Sequence, residues 1–92
     1  MSRLRKSAHG EDCTIRLPNI CNYDPATVVL CHYRLSGFSG IGYKPPDWLG
    51  AFGCSACHVE VDKDHSPATQ LAFAHGVFRT IAKQIEKGLI KV

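Results

Sequence analysis

Apolar residues at helical spacing make the last third of the chain the longest predicted element. Ser66-Pro67 is a typical helix start, because Ser66 can cap the first turn and Pro67 has no N–H that the first turn needs. Gly88 is well placed to end the helix. The apolar residues that follow spacings of three and four, and that we expect to form the buried stripe, are Leu71, Ala74, Phe78, Ile81 and Ile85. The pattern predicts a long C-terminal helix that is the main core element.

The residue pattern in the middle of the chain predicts one strand, one loop and one short helix. Residues 26–35 are rich in β-branched and aromatic side chains, which favours a strand. Because successive strand residues face opposite ways, Cys31 and His32 are expected on different faces. Residues 36–50 are dense in glycine and proline and are expected to form a long loop. Residues 59–62 are expected to form one or two helical turns.

Length and composition predict one small domain, residues 1–92, that needs stabilisation beyond its hydrophobic core, by disulfides or a metal ion. A chain of 92 residues buries only a marginal core. The N-terminus has no apolar signal-peptide segment and no stretch is long enough to span a bilayer, so we expect a cytoplasmic protein that does not bind membranes. In that compartment the five cysteines are expected to stay reduced, and clustered cysteines are expected to hold metal. The net charge of +3 permits nucleic-acid binding without requiring it.

Four of the cysteines have the spacing of a structural zinc site. Cys54 and Cys57 are separated by two residues, which lets both thiolates reach one ion, and Cys13 and Cys21 can supply the other two. The competing interpretations are buried small hydrophobes or a redox pair. The segment from Cys54 to His58 also fits a c-type haem attachment pattern, which the lack of an export signal disfavours. We therefore predict a tetrahedral zinc site that contributes folding free energy.

Two of the five histidines stand out by position. His32 lies in the predicted strand before the glycine-rich loop, and His58 directly follows the second cysteine pair. His9, His65 and His75 are interpreted as ordinary surface or core residues.

This arrangement of cysteines and histidines resembles the HNH, or His-Me finger, endonucleases. Further motifs resemble the small phage and prophage proteins of the YbcO type, which are assigned as nucleases, over nearly the whole chain. They are Leu4-Arg5-Lys6, Arg34-Leu35-x-Gly37, Lys44-Pro45-Pro46-Asp47 and Cys54-Ser55-Ala56-Cys57-His58. The resemblance implies an α+β fold: a small zinc-stabilised ββα-metal domain, here with a long C-terminal helix.

The resemblance also implies a metal-dependent endonuclease that hydrolyses DNA phosphodiester bonds in a phage or prophage context. His32 matches the family's general base, whose imidazole takes a proton from the attacking water. His58 matches the histidine that helps to hold a divalent catalytic metal. The family's asparagine that orients the first histidine has no clear match, and Asp47 is the candidate for that role.

Other side chains near these positions are candidates for metal and phosphate contacts. Asp62 lies four residues after His58, so on a helix the two can share an ion, although such a pair is also a common surface interaction. Arg34, close to His32, and Lys44, in the loop, are candidates for contacts to DNA phosphates, or are solvated surface charges.

Cys31 departs from the family pattern, because an acidic metal ligand commonly precedes the first histidine. The catalytic ion is therefore open among magnesium, manganese, nickel and zinc, with Asp62 or Asp47 as substitute ligands, or the site is degenerate. The alternative function is a non-catalytic zinc-binding module on the same fold that binds nucleic acid or protein. The sequence leaves open whether the chain is an active enzyme, which DNA it acts on, and its oligomeric state.

Overall fold

A computed structural model describes residues 2–38 and 44–92, and residues 39–43 of the predicted loop lie outside this description. Its elements are helix α1 (Arg3–Lys6), a 3₁₀ turn (Pro25–Thr27), strands β1 (Val29–His32) and β2 (Gly50–Gly53), and helices α2 (Ser55–Lys63) and α3 (Pro67–Glu86). The predicted α+β class with a long C-terminal helix is confirmed. None of the helices in the described ranges is long and apolar enough to cross a membrane.

The two strands pair antiparallel and carry the core between them and α3. Val29 lies opposite Gly53, and His32 lies opposite Gly50. All four residues of β2 are buried, since α3 packs against this strand. The large apolar side chains of this core, each at most 6% exposed, are Ile15, Leu17, Val28, Phe52, Val61, Phe73 and Val77.

Strand β2 was not predicted, because its sequence Gly-Ala-Phe-Gly has little intrinsic strand preference. Neither glycine position has room for a side chain. A Cβ on Gly50 would lie 3.0 Å from the Leu30 side chain, and one on Gly53 would lie 2.7 Å from Sγ of Cys31 and 2.9 Å from Cδ1 of Ile15. Close approach of neighbouring atoms therefore selects glycine at both ends of the strand.

Two element boundaries differ from the predictions. The predicted strand over 26–35 begins later, because the side chain of Asp24 accepts a hydrogen bond from the N–H of Ala26 and Pro25 opens a 3₁₀ turn. The helix expected over 59–62 is longer and runs over Ser55–Lys63. It begins at the cysteine pair because Cys54 is its N-cap and accepts from the N–H of Cys57.

The ends of α3 are as predicted, but its buried stripe is not. Ser66 caps the helix, Pro67 is its first residue, and Gly88 has a φ of 73° just after its end. However, Leu71 and Phe78 are 57% and 66% exposed. Ala74, Ile81 and Ile85 are only half-buried. The residues that α3 buries are Thr69, Phe73, Gly76, Val77, Thr80 and Gln84.

Close backbone packing and hydrogen bonding explain the shifted stripe. A Cβ on Gly76 would lie 3.1 Å from Cα of Ile15 and 3.2 Å from Cβ of Ala51, so the helix approaches the sheet at a residue without a side chain. The Thr80 hydroxyl accepts a hydrogen bond from the N–H of Phe52 (2.9 Å) and lies 2.8 Å from the Thr14 hydroxyl. A small residue and a satisfied hydroxyl are thus buried in place of larger apolar side chains.

The contact at Gly53 supports a stability prediction. Gly53→Ala is expected to lower the free energy of unfolding by about 1–3 kcal/mol, because the added methyl meets the buried Sγ of Cys31. Denaturant unfolding measures the loss. The control is the double variant Gly53→Ala with Cys31→Ala, which removes that sulfur and should recover part of the loss relative to Cys31→Ala alone. Equal losses with and without the sulfur would show that the contact with Cys31 is not the cause.

Candidate functional site

Four cysteines from two distant segments meet in one cluster. Cys13 and Cys21 come from the N-terminal loop, and Cys54 and Cys57 from the start of α2; all four Sγ atoms lie within 4.8 Å of one another. Sγ of Cys54 is 3.8 Å from Sγ of Cys21. A tetrahedral zinc site with Zn–S bonds of about 2.3 Å has sulfur–sulfur edges of about 3.8 Å. The predicted gathering of these cysteines is confirmed, and the cluster can hold a metal ion such as zinc.

The protonation chemistry of the cluster also suits a cation. Burial acts to raise the pKa of the Cys54 thiol, but backbone N–H groups of Cys57 and Asn22 and the neighbouring thiols outweigh it and lower the pKa to about 7. Burial raises the pKa of Cys21 to about 11 and raises that of Cys57 further. At neutral pH the thiols of Cys21 and Cys57 therefore keep their protons unless a bound cation stabilises the thiolates.

Cys31 is a free cysteine outside this cluster, and it faces the core. Its side chain is 2% exposed and lies beside Gly53, and burial raises the pKa of its thiol to about 12. His32, the next residue, is half-buried and lines a cleft. The expected alternation of the two side chains is therefore observed, and Cys31 is not positioned as a ligand in that cleft.

The cleft, of about 590 Å³, lies between β1 and the junction of α2 with α3. His32 and Arg34, at and just beyond the end of β1, form one side. The other side comes from the last turns of α2, the α2–α3 connection and the first turns of α3. The residues that line the cleft on this second side are Val61, Asp62, His65, Gln70 and Phe73.

His32 is hydrogen-bonded to Asp47, the candidate for the residue that orients it. Nε2 of His32 is 2.8 Å from Oδ1 of Asp47. Hydrogen bonds from the Ser2 side chain, from His32 and from Arg5 lower the pKa of Asp47 to about 2. An ionised carboxylate can only accept, so Nε2 of His32 carries the proton and, in the neutral ring, Nδ1 keeps its lone pair. Whether this arrangement serves catalysis stays a prediction.

His58 and Asp62 lie together on α2, but only Asp62 lines the cleft. Nε2 of His58 is 3.6 Å from Oδ2 of Asp62, and the two side chains are 43% and 72% exposed. His58 is not among the described residues that line the cleft with His32. Arg34 lines it, whereas Lys44 is exposed and does not.

The sequence interpretation missed four residues at or behind this cleft. His65 was taken as ordinary, yet it lines the cleft, and its Nε2 lies 3.2 Å from the carbonyl oxygen of Asp62. Gln70 lines the cleft from the first turns of α3. Arg5, in α1, contacts Asp47, and Ser2 is the N-cap of that helix. The angle between α2 and α3 and the docking of α1 place these side chains, and neither leaves a local sequence signal.

The chain is similar over nearly its whole length to proteins that carry the description "Putative nuclease". A family model described as "Putative nuclease YbcO" matches residues 2–89. Two relatives with that description come from Escherichia coli strain K12 and Enterobacteria phage 82. Each is 43% identical to this chain, and the alignment covers 99% of this chain and 99% of the relative. A solved structure of a "putative bacteriophage protein" from Escherichia coli is 37% identical, with a TM-score of 0.77, over 94% of this chain and 100% of that one.

Proposed function

Because this chain belongs to the YbcO family of nuclease-like proteins, we propose that it is a metal-dependent endonuclease of the HNH type that hydrolyses DNA phosphodiester bonds in a phage or prophage. The observation that carries the proposal is His32, which is hydrogen-bonded to Asp47 and lines one side of a cleft with Asp62 on the other. The order of elements supports it as well, since two antiparallel strands are followed by a helix, with His32 ending β1 and His58 in the first turns of α2.

In the proposed reaction His32 is the general base. Nδ1 takes a proton from a water molecule, whose oxygen attacks phosphorus as the bond to the leaving oxygen breaks. The imidazolium that results is stabilised by the Asp47 carboxylate, which already accepts from Nε2. The leaving oxygen takes a proton from solvent. Arg34, on the same side of the cleft, is suited to hold a phosphate oxygen, and Lys44 to contact phosphates farther along the DNA.

His58 and Asp62 would hold the catalytic metal. An imidazole nitrogen and a carboxylate oxygen suit manganese, nickel and zinc as well as magnesium. A bound ion supplies stabilisation of the negative charge that develops on the phosphoryl and leaving oxygens. The separate four-cysteine cluster would hold a structural zinc, which fastens the N-terminal loop to the start of α2.

One observation favours the alternative of a non-catalytic module that binds nucleic acid or protein. His58 is 43% exposed and is not among the residues that line the cleft. Of the two residues that would hold the catalytic ion, only Asp62 lines the cleft. In this alternative the zinc cluster and the basic residues remain, and no bond is broken.

A plasmid nicking assay separates the two functions. Protein freed of loosely bound metal is incubated with supercoiled DNA and magnesium, manganese, nickel or zinc, and structural zinc is measured before and after. We expect nicking with at least one ion and a loss of at least about tenfold for Asp62→Asn. The control is Asp12→Asn, an exposed carboxylate outside the cleft lining, which should cleave as the wild type. If the folded, zinc-loaded protein nicks DNA with none of the ions, the result would contradict the endonuclease proposal and support the non-catalytic module.

A further inference from the structure

We infer that the N-terminal helix α1 is part of the active site, in which Ser2 and Arg5 act as positioning residues that hold the Asp47 carboxylate against His32. Arg5 belongs to the Leu4-Arg5-Lys6 motif, which carries no assigned role, and Ser2 belongs to no motif. The inference uses neither the four-cysteine cluster nor the His58–Asp62 pair. It rests on the proposed function for its catalytic consequence but not for its structural test.

The contacts converge on one carboxylate. Nε of Arg5 lies 3.3 Å from Oδ1 of Asp47, the same oxygen that accepts from Nε2 of His32 at 2.8 Å. The Ser2 side chain also helps to lower the pKa of the Asp47 carboxyl. In addition, Oγ of Ser2 accepts from the N–H of Arg5 at 3.1 Å, so Ser2 caps the helix that carries Arg5. These bonds favour the ionised form of Asp47, which is the form that accepts from His32.

Asp47 needs external support because its own segment supplies little. It lies in a turn before β2, where the N–H of Leu49 bonds to the carbonyl of Pro46. The Asp47 side chain is only 21% exposed, whereas a surface aspartate in a turn is free to rotate into water. Donors on α1 oppose that rotation.

The position of α1 is in turn set by the body of the protein. Ala8, just after the helix, is fully buried. Nζ of Lys87, at the end of α3, bonds to the carbonyl of Ser7 at 3.4 Å and forms an ion pair with Glu11. The segment that carries Ser2 and Arg5 is therefore anchored at both the core and the end of α3. It is suited to hold a carboxylate, as a freely moving arm would not be.

Arg5 can affect His32 directly through its charge or indirectly by holding Asp47 in place. These two explanations predict opposite changes in the pKa of His32 when Arg5 is removed. A cation near an imidazole disfavours its protonation, so deleting a merely nearby Arg5 raises the pKa of His32. If Arg5 holds Asp47 in place, its deletion frees the carboxylate from His32 and lowers that pKa. The other charged or titratable groups that line the cleft with His32 are Arg34, Asp62 and His65, and they are unchanged in both cases.

NMR titration of the zinc-loaded chain, with the histidine rings labelled, tests the inference. Arg5→Gln is expected to lower the pKa of His32, with Asp47→Asn as the limiting case of a lost carboxylate. Arg5→Lys, which keeps the cation, should lie nearer to the wild type. The matched control is Arg3→Gln, an exposed arginine of the same helix that makes no described contact with Asp47. A pKa that rises or stays constant in Arg5→Gln would overturn the inference.

A second variant removes a hydrogen bond without removing charge. Ser2→Ala should lower the pKa of His32 in the same direction as Arg5→Gln, and an unchanged pKa in both variants would show that α1 does not position Asp47. In the nicking assay we expect Arg5→Gln to lower turnover by roughly tenfold, with the alkaline plateau reached at lower pH. A wild-type chain that does not nick at all would end the proposed function, while the titration would still decide the role of α1.

Discussion

Replacing Cys57 by serine is expected to remove the bound zinc and, with it, the folded state of the chain. Structural zinc binding supplies roughly 10–16 kcal/mol in small zinc domains, whereas a domain of this size has a total stability of about 5–15 kcal/mol. Cys57 is fully buried in the cluster, so a serine hydroxyl there is a poor ligand and a buried polar group as well. The loss therefore exceeds what the remaining core can absorb.

Metal analysis and circular dichroism measure this prediction together. The wild-type chain should carry about one tightly bound zinc and unfold when a strong chelator removes it. The matched control is Cys31→Ala, since Cys31 is equally buried but lies outside the four-cysteine cluster. That variant should keep its zinc and lose only the stability of a small core contact. A Cys57→Ser chain that stays folded without metal would mean that the cluster is not a structural zinc site.

The parts of the fold that the sequence predicts are those with local signals. The spacing of Cys54 and Cys57 identifies a metal clamp because two ligands three residues apart reach the same ion. The start of α3 follows from Ser66 and Pro67, which act on their own first turn. The link between His32 and Asp47 has no such local signal. Asp47 was only a candidate for a family position without a clear match, and the structure places the nitrogen of His32 and the oxygen of Asp47 2.8 Å apart.

The features that were missed depend on contacts between distant segments. Strand β2 has a sequence of low strand preference and exists because Phe52 and its neighbours are covered by α3. The buried face of α3 differs from the apolar stripe because Thr80 finds partners in Thr14 and Phe52, 66 and 28 residues away. Periodicity cannot register such partners, so a hydroxyl facing the core is interpreted as exposed.

The cysteine cluster and the cleft are mechanically connected through α2. The helix begins at Cys54, which caps it, and its last turns carry Asp62 into the cleft. The loop with the other two cysteines is tied to the core, since the N–H and hydroxyl of Thr14 both donate to the carbonyl of Phe52. An ion in the cluster would therefore fix where α2 starts and, through it, the position of Asp62 relative to His32.

Replacing His32 by alanine should lower DNA cleavage by about 10²–10⁴-fold while folding and zinc content are unchanged. The imidazole is the group we assign to take the proton from water, and it is half-buried on an edge of the cleft, so its removal leaves the core intact. Initial nicking rates measured with the ion that best supports the wild type give the loss. The control is His75→Ala, an exposed histidine of α3 outside this cleft. Cleavage that persists in His32→Ala would remove His32 from the mechanism, whereas an equal loss in His75→Ala would indicate a general effect on folding or DNA binding.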